Sequence, residues 1–352
     1  MAVTARDVAR EAGVSPATVS LVFRNKPGVG AATRQSVMEV AQRLGYVYTS
    51  TPNPQSKTST LQLVIYKGAG HVVGDTPFFE AVARGISTEA YNQGYHHVVT
   101  TYFYESQDAS EQIKALASTK CAGIILLATE IRATDIAQFE RLGVPIVLLD
   151  SWFPSKSLDS VIIDNQRAAW KATQHLVKNG HRRIGYLQAN SGIRNFLERH
   201  DGYAQAMRGL VDRTFDPTSL VIRVGTTEQE AYEDMVRWIA ARGNPNVERD
   251  RELMPTAFVA DNDFVAAGCM RALIQSGWDV PGDISIVGFD DLPICEQLEP
   301  ALTTMSVPKE RMGAIAARRL AEKIREGFPE TIRVAVVPKM VSRESVRTLP
   351  QA

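Results

Sequence analysis

From residue 61 onward, short apolar runs alternate with longer amphipathic segments. The apolar runs are typical of buried parallel strands, and the segments between them predict helices on both faces of a sheet. The predicted strands are 61–66, 96–102, 123–128, 145–150, 160–164, 183–189, 220–224, 256–260, 284–290 and 332–337. The predicted helices are 78–93, 109–118, 133–142, 165–179, 195–210, 228–242, 262–276 and 308–326. Because this is too many strands for one sheet, the pattern predicts an α/β body of two doubly wound lobes.

The chain is expected to cross between these lobes near 158–164 and again near 299–307. Ligands of doubly wound sheets bind beyond the carboxyl ends of the strands, so the cleft between the lobes is the expected binding site. The resulting assignment gives about 61–160 and 300–307 to an N-lobe, and about 161–299 and 308–340 to a C-lobe.

Ahead of the body, the pattern predicts a head of three short helices. The first begins after Thr4 and ends at Gly13, where a positive φ costs little. The second begins at Ser15-Pro16, a preferred N-cap followed by a proline at the first helical position, and the third spans about 31–44. The predicted buried side chains are Val8, Ala9, Ala12, Val19, Val22, Phe23, Val37, Val40, Ala41 and Leu44.

Two short helices around a glycine-containing turn, the second with a polar outer face, are typical of the helix-turn-helix, whose second helix fits the major groove of DNA. On geometry alone, a three-helix cap on a larger domain is the alternative. We expect residues 1–47 to form the DNA-binding head. Residues 48–60, rich in serine, threonine and proline, are expected to be a linker, and residues 61–352 the two-lobed body.

Composition narrows the class of protein. The chain has 352 residues, of which 44% are hydrophobic and 22% charged, as in soluble globular proteins. Its longest apolar run, 122–128, is far shorter than the ~20 residues of a membrane helix, and charges stand where a secretory signal would be apolar. Its three cysteines and six histidines show no disulfide or metal-site spacing. A cytoplasmic protein without a cofactor is predicted.

The charge is unevenly distributed along the chain. Lysine and arginine together number 39, as do aspartate and glutamate, so the formal net charge is zero. Residues 1–57 nevertheless hold seven basic and three acidic side chains, a net charge of +4, which leaves −4 on the remainder. A basic head on a mildly acidic body favours a polyanionic partner for the head.

Seven segments of the chain are informative when taken together and in order: 3–47 in the head, and 75–86, 143–150, 164–187, 261–273, 278–293 and 300–305 in the body. They resemble the LacI/GalR-type family of bacterial transcriptional regulators, with residues 61–352 as its effector-binding and dimerisation body and 48–60 as its hinge. The resemblance implies a homodimeric regulator, most simply a repressor, that binds a pseudo-palindromic DNA operator. It also implies a body like the periplasmic sugar-binding proteins, which couples a sugar or glycoside effector to DNA affinity by allostery.

The family resemblance also assigns DNA-facing positions in the head. Hydroxyl groups there would hold phosphates, whereas Pro16, Ala17 and Leu21 would face base edges. Leu21 stands where many relatives have an arginine that can bind guanine, and it is limited to apolar contacts such as a thymine methyl. The operator is therefore expected to differ from the commonest ones, unless Arg24 substitutes for that arginine. The positions are Thr4, Ser15, Pro16, Ala17, Thr18, Ser20, Leu21, Arg24, Thr33 and Tyr46.

The linker departs from the family pattern. In relatives it forms a hinge helix that inserts a leucine into the minor groove. Here it contains Pro52 and Pro54, and Gln55 stands about where that leucine would be. Because a proline inside a helix costs ~3 kcal/mol, we expect no ordinary hinge helix.

The family resemblance places the effector site in the cleft. Carboxylates, an arginine and an asparagine would form paired hydrogen bonds with vicinal hydroxyls, and aromatic rings would stack on a sugar face, chemistry that suits a sugar better than a purine. The simpler alternatives are that Phe79 belongs to the core and that Asp150 closes a strand. The candidates are Phe78, Phe79, Asp150, Trp152, Arg194, Arg199, Asn262 and Asp290.

Two other functions remain open from the sequence. A cytoplasmic sugar-sensing protein with weak or lost specific DNA binding would explain Leu21 and the prolines of the linker. A dinucleotide-dependent oxidoreductase would need a phosphate-binding turn, yet Gly74 comes late after Gly68 and Gly70, and no acidic residue ends the second strand. Since the sequence contains no other catalytic motif either, no enzyme activity is expected.

Overall fold

The computed structural model describes residues 5–23, 29–44, 46, 59–68, 72–73, 76–209, 220–242, 247, 254–327 and 329–350. They belong to two compact units, Met1–Pro54 and Gln55–Ala352. None of the described helices is long and apolar enough to cross a membrane.

The head contains the three predicted helices, α1 (Ala5–Glu11), α2 (Pro16–Phe23) and α3 (Ala31–Leu44). Gly13 follows α1 with a φ of 66°, and the Ser15 hydroxyl accepts a hydrogen bond of 3.1 Å from the Thr18 backbone N–H at the start of α2. All the apolar side chains predicted to be buried pack into one cluster, which also includes Val14, Val29 and Tyr46. The predicted cap at Thr4 and most of the linker lie outside the described residues.

The described residues of the body form two six-stranded sheets flanked by helices, as the alternating pattern predicts. The strands are β1 (Thr60–Lys67), β2 (His97–Tyr104), β3 (Ile124–Leu127), β4 (Ile146–Leu149), β5 (Asp159–Ile163), β6 (Ile184–Ala189), β7 (Val221–Val224), β8 (Ala257–Ala260), β9 (Ser285–Asp290), β10 (Thr303–Ser306), β11 (Arg333–Val336) and β12 (Lys339–Val341). The first sheet, in the N-lobe, has the order β11-β5-β4-β3-β1-β2, and all its strands are parallel. The second sheet, in the C-lobe, has the order β12-β10-β9-β8-β6-β7, and of these strands only β12 runs antiparallel.

The helices of the body cover both faces of these sheets. Their bounds are α4 (Pro77–Asn92), α5 (Ala109–Ser118), α6 (Ile136–Glu140), α7 (Asn165–Lys178), α8 (Arg194–Arg208), α9 (Glu228–Ala240), α10 (Asp263–Gln275), α11 (Ile294–Gln297) and α12 (Lys309–Glu326). Helices α4 and α12 pack against each other in the N-lobe, α7 packs against α8 in the C-lobe, and α9 packs against α10.

The predicted lobe assignment of residues 300–340 is wrong. Strand β10, expected in the N-lobe within 300–307, pairs with β9 of the C-lobe. Helix α12 and strand β11, expected in the C-lobe within 308–340, belong to the N-lobe, where β11 pairs with β5. The chain therefore crosses three times, after β5, after β10 and after β11. The short segments β10, β12 and α11 were not predicted at all.

Two glycines fix α12 on the N-lobe. A Cβ atom added to Gly85 of α4 would lie 2.0 Å from the carbonyl oxygen of Glu310, and one added to Gly313 of α12 would lie 2.1 Å from that of Val82. The helix backbones touch at these points, which no larger residue permits. The first turn of α12 is thereby held beside the cleft.

Candidate effector site and DNA-binding surface

Six of the eight predicted effector residues line one cavity between the lobes. Asp150 follows β4 of the N-lobe, whereas Asn262 and Asp290 lie at the carboxyl ends of β8 and β9 of the C-lobe. Arg199 extends from α8, and Phe78 and Phe79 lie in the first turn of α4. The cavity measures about 50 Å³, room for one or two water molecules.

Asp150 is the most constrained group in this cavity. It has a φ of 64° and is buried. Its Oδ2 accepts hydrogen bonds from Thr129 Oγ1 at 2.7 Å and from Asn195 Nδ2 at 2.9 Å, whereas its Oδ1 has no partner among the residues that the structure describes. Burial raises the pKa of this carboxyl to about 7, with a further contribution from the nearby negative charge of Asp290.

Arg199 is held on three sides by the C-lobe. Its Nε donates to Asn165 Oδ1 at 2.9 Å, its Nη1 to the carbonyl oxygen of Asp261 at 2.5 Å, and its Nη2 to Asp290 Oδ1 at 3.4 Å. The guanidinium carbon lies 3.7 Å from the centroid of the Phe289 ring. These contacts fix the plane of the guanidinium and use three of its five N–H groups.

Asp290 stands at the end of β9 with a φ of 109°. Burial raises the pKa of its carboxyl, and the positive charges of Arg199 and Lys309 oppose that rise. Lys309, at the start of α12, donates to the backbone oxygens of Asp290 and Asp291. Because α12 belongs to the N-lobe, this lysine joins the two lobes beside the cavity.

Asn262 serves as the N-cap of α10, since its Oδ1 accepts a hydrogen bond of 2.9 Å from the Val265 backbone N–H. Its Nδ2 is therefore the group that can serve a ligand. The adjacent Asp261 and Asp263 are fully buried, and burial raises the pKa of each to about 7. They accept bonds from protein donors, Tyr186 Oη and the Ala189 N–H for Asp261, and Thr304 Oγ1 and the Leu292 N–H for Asp263.

The structure does not bring Trp152 and Arg194 into this cavity. The Trp152 indole N–H donates to Glu198 Oε1 at 3.2 Å, and the guanidinium carbons of Arg194 and Arg333 lie 4.5 and 3.4 Å from the centroid of the Trp152 ring. The backbone turns sharply at Asp150, after which Trp152 is covered by these two arginines. The expected stacking of Trp152 on a ligand in the same site is therefore not supported by its position.

Several residues that line the cavity are not among those predicted from the sequence. Thr129 was detectable, because it follows β3 at the same edge of the sheet as Asp150. Asn195 was detectable as well, because it precedes Arg199 by four residues on α8 and so shares its face. The other lining residues that were not predicted are Val72, Thr76, Ile193, Phe196, Phe264 and Leu292.

In the head, the structure places several predicted DNA-facing residues at the surface. Ser15, Pro16 and Leu21 are exposed, Leu21 to 37%, and Thr18 and Thr33 are half-buried. The Tyr46 ring packs edge-on against Phe23 with 5.5 Å between ring centroids, so it has a packing role. Thr4 and Arg24, and the side chains of Ala17 and Ser20, lie outside the described residues.

The described residues contain no group of His, Cys, Asp and Glu side chains that could hold a metal ion. A helix-turn-helix head joined to a two-lobed α/β body with a polar cleft defines a class of protein, the DNA-binding regulators controlled by a small molecule. The same class emerges from comparison with known proteins.

The family model for bacterial regulatory proteins of the lacI family matches residues 4–48, and that for periplasmic binding protein-like domains matches residues 173–346. The chain is 32% identical to the transcriptional regulator GalR of Escherichia coli, covering 98% of this chain and 96% of GalR. It is 30% identical to the transcriptional repressor PurR of Mannheimia succiniciproducens, covering 98% and 99%. The solved structure of the CelR–cellobiose complex superimposes with a TM-score of 0.70 at 27% identity, covering 97% and 99%.

The chain belongs to the lacI family of bacterial regulatory proteins. It is a DNA-binding transcriptional regulator with an effector-binding body, and not an enzyme. The predicted family, fold class and general function are thereby confirmed.

Proposed function

We propose that this chain is a cytoplasmic, homodimeric repressor whose operator affinity is controlled by a sugar or glycoside bound between the lobes. The observation that carries the proposal is a pair of carboxylates, the buried Asp150 and the partly buried Asp290, that face one cavity from opposite lobes beside Arg199. When bound to its operator, the protein is associated with the nucleoid. Residues 1–47 form its DNA-binding head, 48–60 its hinge and 61–352 its effector-binding and dimerisation body.

The donors and acceptors of the cavity suit a polyol. A ligand hydroxyl donates to Asp150 Oδ1, the acceptor without a partner, and accepts from Asn262 Nδ2 or an unused N–H of Arg199. Phe78 and Phe79, with 5.1 Å between ring centroids, offer an apolar wall to the C–H face of a pyranose. Two carboxylates disfavour an anionic ligand, and the cellobiose bound by the related CelR supports a sugar.

DNA recognition is assigned to the head. Ser15 and Thr18, whose side-chain oxygens lie 2.9 Å apart at the start of α2, contact phosphates together with Thr4, Ser20 and Thr33. Pro16, Ala17 and Leu21 face base edges, and Arg24 and Tyr46 complete the contact surface. Two heads in a dimer read the two halves of a pseudo-palindromic operator.

Lobe movement couples the two functions. A cavity of about 50 Å³ cannot admit a pyranose ring until the lobes part, so ligand entry must separate contacts such as that between Asn195 and Asp150. The ligand changes DNA affinity only to the extent that it prefers one arrangement of the lobes over the other. An inducing sugar favours the arrangement in which the paired heads no longer fit the operator spacing.

The test is fluorescence anisotropy of labelled DNA from the regulator's own upstream region, at two salt concentrations, with and without a sugar panel. Saturable binding to one palindrome that a sugar weakens is expected, and strengthening would identify a co-repressor instead. Thr18→Ala should weaken DNA binding and leave sugar affinity unchanged. Sugar binding accompanied only by weak, sequence-independent DNA binding that vanishes with salt would favour the sugar-sensing alternative.

A further inference from the structure

A second, larger cavity adjoins the effector cavity. It measures about 670 Å³ and is lined by both lobes, with Arg132 and Phe153 on the N-lobe side and Arg194 and Leu197 on the C-lobe side. Thr129 and Ile193 line both cavities. We call this second space the outer chamber. Its walls join those of the effector cavity at these two shared residues. A ligand too long for the effector cavity would therefore extend into the outer chamber.

The walls of the outer chamber combine hydrogen-bonding groups with apolar surface. Ser191 contributes a buried hydroxyl oxygen that has no partner among the described residues, and Ser151 is a buried serine of the lining. Leu197 is 51% exposed and, together with Ile131, gives the lining an apolar component. Hydroxyls beside exposed aliphatic groups match a carbohydrate ring, which carries hydroxyls at its edge and C–H groups on its faces.

The charges of the outer chamber exclude an anionic occupant. Arg132 is paired with Glu105 at 2.5 Å and with Asp135 at 3.1 Å, and Arg194 is paired with Glu198 at 3.4 Å and lies over the Trp152 ring. The carboxylates of Glu130 and Asp201 also line the chamber. Because both arginines already have acidic partners, the described lining residues leave no uncompensated positive charge for a phosphate or a carboxylate.

We propose that the effector is a disaccharide or a glycoside, with its first pyranose between Asp150 and Asp290 and an uncharged second ring in the outer chamber. The glycosidic bond passes between Thr129 and Ile193. This inference rests on the proposed sugar-binding function and names the size and charge of the ligand. A chamber of about 670 Å³ lies within the range of roughly 300–1,000 Å³ that is usual for small-molecule sites, whereas the effector cavity by itself does not.

Gly192 allows a direct test, because it lines the outer chamber and a Cβ atom added there would meet nothing within 4 Å. Gly192→Trp should fill part of the chamber without disturbing the fold. The matched control is Ala117→Trp, which introduces the same side chain at an exposed position of α5 outside the chamber lining. Leu197→Trp, at another exposed position of the lining, is a second blocking variant if Gly192→Trp does not fold.

Binding is measured by titration calorimetry of the full-length protein with glucose, galactose, cellobiose, maltose and lactose. One disaccharide should bind at least tenfold more tightly than its constituent monosaccharide. Gly192→Trp should weaken the binding of that disaccharide at least tenfold and change the affinity for the monosaccharide less than twofold. Ala117→Trp should change neither of these affinities.

Three results would overturn the inference. If a monosaccharide binds and no disaccharide binds more tightly, the outer chamber has no role, although the proposed sugar function stands. If both blocking variants bind the disaccharide as the wild-type protein does, the second ring lies elsewhere. If no sugar of the panel binds, the proposed sugar effector fails together with this inference.

Discussion

Asn195 donates a hydrogen bond of 2.9 Å to Asp150 across the cleft, from α8 of the C-lobe to the end of β4 in the N-lobe. The bond ends on Oδ2, which also accepts a hydrogen bond from Thr129, while Oδ1 of the same carboxylate has no partner in the described part of the chain. One carboxylate thus holds the lobes together with one oxygen and presents the other to the cavity. Asp150 therefore contacts the opposite lobe and lines the ligand cavity at the same time.

Asp150→Asn should therefore weaken effector binding while the protein stays folded. A hydrogen bond to a charged group contributes about 1.5–3 kcal/mol, so we expect effector affinity to fall about 10- to 100-fold. The melting temperature should hold or rise, because burial of the charged carboxylate is unfavourable. Titration calorimetry and differential scanning calorimetry measure the two quantities.

Asn195→Ala is the matched control for this substitution. It removes the bond between the lobes and leaves Oδ1 of Asp150 in place, so its effect on effector affinity should be smaller than that of Asp150→Asn. Wild-type affinity in Asp150→Asn would show that this carboxylate does not contact the ligand.

Effector affinity should depend on pH near neutrality. Burial raises the pKa of Asp150 to about 7 in the unliganded protein, and a ligand hydroxyl that donates to Oδ1 prefers the ionised form. Binding should therefore release a proton, and affinity should fall as the pH falls from about 8 to about 6. Calorimetry in two buffers of different ionisation enthalpy detects the proton, and Asp150→Asn should abolish its release.

The stability of the unliganded protein should change with pH in the opposite direction. A carboxyl whose pKa is higher in the folded than in the unfolded protein stabilises the fold below its unfolded pKa of about 3.9, and this contribution is lost as the pH rises through about 7. Asp261 and Asp263 share that direction. The difference between wild type and Asp150→Asn in urea unfolding, measured from pH 5 to 8, isolates the share of Asp150, and an unchanging difference would refute its raised pKa.

Glu130 should hold Gly68, Val72 and Val73, which lie between β1 and α4, in their positions beside the cavity. Its carboxylate accepts hydrogen bonds from the backbone N–H groups of Gly68 at 2.6 Å, Val72 at 2.5 Å and Val73 at 2.9 Å. Val72 and the following Thr76 line the effector cavity. Glu130→Gln retains only one acceptor oxygen, so we expect effector affinity to fall about 5- to 30-fold, mainly through faster dissociation measured by stopped flow.

Glu140→Gln provides the comparison for Glu130→Gln. The Glu140 carboxylate forms a surface ion pair with Lys156, and such pairs contribute about 0–1 kcal/mol. Effector binding should be unaffected by this change. Equal effects of the two substitutions would show that effector binding does not depend on the bonds of Glu130.

Local signals in the sequence predicted most helices, whereas sheet partners were not predictable from it. Helix α5 begins after Asp108, whose side chain accepts from the Glu111 N–H, so both its bounds follow from neighbouring residues. Strand β10, Thr303–Ser306, is buried but largely polar, so it has no apolar run to reveal it. Its pairing with β9 in the C-lobe is a long-range contact that periodicity does not encode.

In the candidate site, too, some features follow from the local sequence and others depend on long-range contacts. The strand-end positions of Asp150 and Asp290 follow from topology, and both line the cavity. The covering of Trp152 by two arginines depends on side chains from α8 and β11 that only the folded chain brings together.

Leu21 should determine operator preference with little effect on the stability of the head. It is 37% exposed on α2, whereas its neighbour Val22 is 4% exposed and belongs to the core of the head. Leu21→Arg gives this position the bidentate donor that reads guanine, a contact that discriminates between bases by about 1–3 kcal/mol. The preferred operator, selected from randomised half-sites, should therefore gain a guanine at one position of each half-site.

Val22→Ala tests whether such changes come from the contact with DNA or from the fold of the head. Because this substitution leaves a cavity in the core, it should destabilise the head by about 1–3 kcal/mol and weaken binding to all operators alike. Leu21→Ala should leave the head as stable as in the wild-type protein, since it alters an exposed position, and should reduce only the preference between sequences. An unchanged set of selected half-sites in Leu21→Arg would mean that Leu21 does not face the bases and that another residue of the head reads the sequence.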